Sequence, residues 1–159
     1  MFHSLKNNLW GDICTVDVVR TIKQVHPYDV ILIKIGKFYH AYGRDAYVVS
    51  FVFNYQMKKV DINTNTTGFP EAALNKVMKT LSEKNINYKI LDRGDNYNSF
   101  EEEDFKQNNK YMDIYNTAHK YQVRKNKIDG IYEYLLNDIN DEDLQRKVNE
   151  IEEILYERR

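Results

Sequence analysis

The sequence predicts an α/β protein: a mixed β-sheet flanked by helices, followed by a C-terminal helical hairpin. Three observations carry that expectation. A β-branched run, Val30-Ile31-Leu32-Ile33-Lys34-Ile35, lies between Pro27 and Gly36 and reads as a buried strand. Ala73, Leu74, Val77, Met78 and Leu81 recur at helical spacing, with a short alternating run, Ile86 to Leu91, behind them. Beyond residue 109, Tyr111, Ile114, Ala118, Tyr121, Lys125, Ile128, Tyr132 and Leu135 step by three and four residues, a coiled-coil-like seam with one lysine in it.

Taken in order, Thr15 to Val25 reads as a short helix through Val18, Val19, Ile22 and Val25. The strand from Val30 follows, and Phe38 to Tyr42 returns antiparallel to it, with Gly36-Lys37 as the turn. Ala46 to Phe53 fits either a helix or a strand by pattern. Tyr55 to Ile62 reads as a strand ending in a polar loop, Asn63 to Thr67. Gly68-Phe69-Pro70-Glu71 opens a helix, since Pro suits a first turn where its missing N–H costs nothing. Asp92 to Asp104, with Gly94, several Asn and the run Glu101-Glu102-Glu103-Asp104, has a linker's composition. Asn140 caps a last helix whose acidic first turn suits the helix dipole and whose stripe is Leu144, Val148, Ile151 and Leu155. The expected organisation is an α/β domain over 1–95, a linker over 96–108 and the helical hairpin over 109–159.

Composition narrows the function classes. The net charge of −1 is unevenly spread: residues 21–95 hold eleven Lys/Arg against seven Asp/Glu, and residues 96–159 hold ten against fifteen. A mildly basic body permits a nucleic-acid face, while the near-zero total argues against strong non-specific binding. Thirteen tyrosines fit both a wet interface and the codon bias of an AT-rich genome, which also explains the many Asn, Ile and Lys. Cys14 is the single cysteine, so no intramolecular disulfide forms, and its thiol is read as buried and structural. No apolar run reaches signal-peptide or membrane-spanning length, which points to a cytoplasmic protein with no membrane partner.

Two blocks carry a family resemblance. The first is His26-Pro27-Tyr28-Asp29, the apolar strand, then Gly36-Lys37-Phe38-Tyr39-His40-Ala41-Tyr42-Gly43-Arg44-Asp45-Ala46. The second is Thr67-Gly68-Phe69-Pro70-Glu71-Ala72-Ala73-Leu74. In this order and spacing they resemble the N-terminal mismatch-recognition domain (domain I) of the MutS family, over about the first 95 residues. That family typically reads Y-P-D, a strand, G-D-F-Y-E-x-F-x-x-D-A, and later A-G-V-P-x-H-A-L.

The resemblance implies a wedge. In the family an aromatic ring enters beside a mispaired base from the minor groove and kinks the duplex, turning deformability into selectivity. Phe38 takes the wedge position and Tyr39 the one after it. His40 stands where the family has Glu, and an imidazole cannot reproduce a carboxylate at a base edge. F-Y-x-A-x-G-x-D-A is nearer the eukaryotic MutS-homologue subunit that lacks the wedge role and supports its partner. Lys37, where the family often has Asp, adds positive charge beside the wedge. Lys37, Arg44, Lys58 and Lys59, with Lys34, are the candidate basic face; scattered lysines also serve simply as solubilising charges. Phe38 itself is read two ways, as an inward-facing hairpin residue or as an exposed stacking ring.

Other chemistries have less support. No G-x-x-x-x-G-K-[ST] occurs, so no nucleotide-binding P-loop is expected, and the other MutS domains do not fit in this length. The histidines His3, His26, His40 and His119 are dispersed and no Cys pair exists, so neither a metal nor any cofactor is implied. No G-x-S-x-G elbow occurs. A nuclease on Asp29, Asp45 and Asp61 stays open, although turn and helix-cap roles account for the first two. The chain is therefore read as a non-catalytic accessory protein that binds nucleic acid, a mispaired or deformable duplex or a structured RNA. Small MutS-like proteins of this kind accompany the reverse transcriptases of diversity-generating retroelements. The alternative is an adaptor that binds a protein partner or self-associates through its C-terminal helices.

Overall fold

A computed structural model describes residues 2–137 and 140–157, with side chains from residue 14 onward. The described residues fall into two compact units that divide after His119. The first begins with helix α1 (Phe2–Val25), longer than the short helix expected. Strands β1 (Val30–Ile35) and β2 (Phe38–Tyr42) form the expected hairpin. Helix α2 (Arg44–Phe53) resolves the ambiguous segment as helical.

The next stretch departs from the sequence reading. Only Lys58–Lys59 form strand β3, and the main strand, β4, runs over Asn65–Pro70. Those residues were expected as a polar loop and a helix start. Their alternation explains the outcome: Thr67 and Phe69 are buried while Gly68 and Pro70 face out. Pro70 is tolerated because β3 pairs only with Asn65 and Thr66, leaving no neighbour on that side to miss its N–H. A 3-10 turn (Glu71–Ala73) then leads into α3 (Leu74–Glu83), and β5 (Tyr88–Asp92) follows.

The segment expected as a linker, 96–108, holds regular structure: a strand and a 3-10 turn (Lys106–Asn108). Strand β6 (Asn98–Glu103) pairs antiparallel with β5, its acidic side chains standing on an outer edge strand. Charge on an edge strand deters unwanted pairing, so linker-like composition and edge-strand composition look alike. Helix α4 (Tyr111–Asn137) follows and α5 (Glu142–Glu157) ends the described chain. The cap of α5 is Asp141 rather than Asn140: its Oδ1 accepts from the N–H of Asp143 at 2.8 Å and of Leu144 at 3.4 Å.

The mixed sheet has the order β3-β4-β2-β1-β5-β6, with β1 and β5 parallel and the other pairs antiparallel. Its centre is buried on both faces, which is why β1 reads as an unbroken apolar run. Val30, Leu32, Tyr39, Ala41 and Phe69 face one cluster, with Val48 and Val49 of α2, Val77 and Leu81 of α3, and Tyr111 of α4. Ile31, Ile33, Tyr42 and Leu91 face the other, under Val16 and Val19 of α1. Burying each of these large side chains stabilises the fold by roughly 1.5–3 kcal/mol. Cys14, expected to be buried, is exposed. No helix among the described residues is long and apolar enough to cross a membrane.

Candidate nucleic-acid interface

The hairpin of β1 and β2 sets the direction of every residue in the first sequence block. Gly36 takes φ +61° at the first central position of the two-residue turn, a conformation that a Cβ would strain. The N–H of Glu71 donates to the Lys37 carbonyl at 2.9 Å, which ties the turn to the end of β4. From that turn, strand periodicity sends Phe38, His40 and Tyr42 to one face and Tyr39 and Ala41 to the other.

Phe38 is 50% exposed, between Ile35 of β1 and Pro70 of β4 in register. The ring is therefore not an inward-facing core residue. Its ring centroid lies 6.5 Å from that of His40, which in turn stacks on Tyr42 at 6.3 Å. The row passes from an exposed tip at Phe38 to a buried anchor at Tyr42, 3% exposed. His40 is partly exposed and lies over Gly68, where a Cβ would come within 3.0 Å of its Nδ1.

Tyr39 faces the core. It is 1% exposed, stacked on Phe69 with centroids 5.6 Å apart, and burial pushes its phenol above the usual range. The side chain expected to make a contact thus has almost no exposed surface: one residue along a strand reverses the face.

The expected basic face is also divided. Lys37 is exposed beside Phe38. Lys34 is bound to Glu71 at 2.8 Å, and that bond holds its ammonium above the ordinary lysine value. Lys58 and Lys59 sit beside Thr66 and Asn65, level with Tyr42 at the far end of β2, about 13 Å along the strand from Phe38. Arg44 follows Tyr42 and places its guanidinium over the Tyr115 ring, 5.7 Å from the centroid. Strand and helix directions separate charges that look contiguous in sequence.

Asp45 takes a role the sequence did not assign. It is fully buried, and α2 is preceded by Gly43 with no side-chain cap. Its carboxylate instead accepts from the Ile31 N–H at 3.0 Å, Lys23 Nζ at 2.8 Å and the Tyr111 hydroxyl at 2.5 Å. Burial pushes this carboxyl above the usual carboxylate range, against the pull of Lys23, Tyr111 and Ile31. Burial and the neighbouring Asp45 drive the Tyr111 phenol far upward, so it serves as a donor. One ionic centre thus joins α1, β1, α2 and α4. Pairing of so distant residues leaves no local pattern to read.

An open cleft of about 450 Å³ lies between α1 and the Tyr42 end of the sheet, with Val16, Val19 and Tyr42 as its floor and Arg20, Lys23 and Arg44 around it. Each of these cations has a protein partner: Arg20 bonds Asp17, Asp61 and Thr64, Lys23 bonds Asp45, and Arg44 covers Tyr115. Asp29 bonds Asn87 and His26. Asp61 turns its loop by accepting from the Asn63 N–H, which holds its carboxyl below the usual range. Among the described residues no group of three His, Cys, Asp or Glu could hold a metal ion.

Compared with family models, the chain matches MutS domain I over residues 15–92, a span that opens within α1 and closes at the end of β5. Comparison with curated proteins finds no match.

Proposed function

We propose, from the match of residues 15–92 to MutS domain I, that this chain binds nucleic acid as a non-catalytic accessory factor, using Phe38 as a wedge against a deformable duplex. The observation that supports this most is the exposure of Phe38 at a hairpin end whose backbone is held by β1, β4 and the Glu71 N–H. A half-exposed aromatic ring on a fixed backbone stacks on a base at little ordering cost. Lys37 beside it suits a phosphate, and His40 presents an imidazole where a neighbouring base edge would lie. The preference for mispaired over matched duplex follows from deformability: a weakened step costs less to unstack.

An accessory role beside a reverse transcriptase belongs to the same reading, because a structured RNA or a primer–template duplex offers similar weak steps. Fluorescence anisotropy at low and physiological salt tests both. Matched duplex, mismatched duplex and structured RNA are titrated with the wild type and with Phe38→Ala. The expected result is tightest binding to one deformable ligand, weakened about tenfold or more by Phe38→Ala. No binding by the wild type, or binding indifferent to Phe38, overturns the wedge.

A further inference from the structure

The second unit leaves two apolar seams uncovered. On α4, positions 121, 125, 128, 132 and 135 alternate steps of four and three, and Tyr121, Ile128 and Tyr132 are 51%, 65% and 58% exposed. On α5, positions 144, 148, 151 and 155 repeat the same steps, and Ile151 and Leu155 are 43% and 62% exposed. Only Leu144, where α5 begins, is buried. Beside it an open cleft of about 370 Å³ is lined by both helices, including Tyr132 and Val148. Two seams of coiled-coil periodicity remain without the helix that such a pattern calls for.

Charge identifies that helix. Residues 120–137 carry four Lys/Arg and two Asp/Glu, a net +2, whereas residues 142–157 carry two and six, a net −4. From position 121 to position 132 the α4 seam matches the whole α5 seam in antiparallel register. Tyr132 meets Leu144, Ile128 meets Val148, Lys125 meets Ile151 and Tyr121 meets Leu155. In that register Lys120 and Lys127 fall beside Glu157 and Glu150.

We propose that the occupant is a second copy of this chain: α5 of each copy lies along α4 of the other, closing a two-fold four-helix bundle. A second copy covers both seams and both signs of charge in one symmetric exchange, and such an interface closes on itself. Gly130, within the exposed half of α4, costs that helix about 1 kcal/mol relative to Ala, so packing has to supply what local propensity does not. Lys125 at a seam position, held outward by Asp129 at 2.6 Å, is the kind of single polar residue that fixes partner number. The inference stands independently of nucleic-acid binding.

The test uses the full chain in sedimentation velocity over a range of concentrations, with two charge-reversed variants: Lys120→Glu/Lys127→Glu and Glu150→Lys/Glu157→Lys. Circular dichroism controls for helix content. The wild type is expected to be a dimer that dissociates on dilution. Each variant alone is expected to be a monomer, and an equimolar mixture to regain the dimer, because the exchanged positions then pair opposite charges again. Monomeric wild type overturns the proposal. So does a mixture that stays monomeric, which would mean that α5 closes on its own α4. So does a Glu150→Lys/Glu157→Lys chain that remains dimeric, which would mean an interface without α5.

Discussion

His40 lies against Gly68, its partner across the β2–β4 ladder: a Cβ on residue 68 would stand 3.0 Å from His40 Nδ1 and 2.9 Å from the Tyr39 carbonyl oxygen. The glycine of the second sequence block is thus explained by packing, since its φ is ordinary. Gly68→Ala is expected to destabilise the chain by about 1–3 kcal/mol in urea unfolding, as overpacking does. In a His40→Ala background the cost should shrink without vanishing, because the backbone oxygen of Tyr39 remains. A cost unchanged in that background would place the whole clash on the backbone.

Asp45 predicts a second result. Removing one partner of a buried ionic centre leaves the other without compensation, at a cost of about 3–5 kcal/mol. Asp45→Ala is therefore expected to lower unfolding stability by that amount, leaving the Ile31 N–H without its acceptor. Tyr111→Phe keeps the ring in the core and removes one hydrogen bond to Asp45, so its expected cost is smaller, about 1–3 kcal/mol. Equal costs for the two variants would contradict a centre organised around Asp45.

Adjacent residues on β2 should behave oppositely. Tyr39→Ala empties a core site stacked on Phe69 and is expected to cost about 3–5 kcal/mol, enough to unfold a marginal domain. Phe38→Ala removes a half-exposed ring and is expected to cost about 1 kcal/mol or less while weakening ligand binding. Urea midpoints and anisotropy on the same two variants separate a structural from a recognition role. A large stability loss in Phe38→Ala would make that residue part of the packing instead.

The parts of the fold that were legible share one property: their signal is local. The run Val30 to Ile35 and the stripe through Val77 and Leu81 announce themselves by period, and the hairpin by Gly36. The strand Asn65–Pro70 was missed because Pro70 carries a helix-start signal and only the missing neighbour strand permits it in a sheet. The strand Asn98–Glu103 was missed because three consecutive glutamates suit an edge as well as a linker. At the candidate site, the resemblance singled out Phe38, whose exposure the structure gives, whereas the facing of Tyr39, the distance of Lys58 and Lys59, and the Lys23–Asp45–Tyr111 centre are tertiary facts.

The junction between β6 and α4 carries a pH dependence. Asn87 bonds Asp104 Oδ1 at 2.8 Å through its amide and accepts the Phe105 N–H at 2.8 Å, and the Lys106 N–H also donates to Asp104. These donors hold the Asp104 carboxyl below its ordinary value, the Lys106 N–H contributing most. A carboxylate whose folded pKa is depressed stabilises the fold above its unfolded value, about 3.9, and loses that contribution as pH falls through the folded value. The wild type is therefore expected to lose stability on acidification below about pH 4 more steeply than Asp104→Asn, and to exceed it at neutral pH. Urea midpoints of both chains between pH 3 and pH 7 check this. Parallel curves would remove Asp104 as the titrating group and leave its bonds from the Lys106 N–H and the Asn87 side-chain amide as a pH-independent cap on the turn before α4.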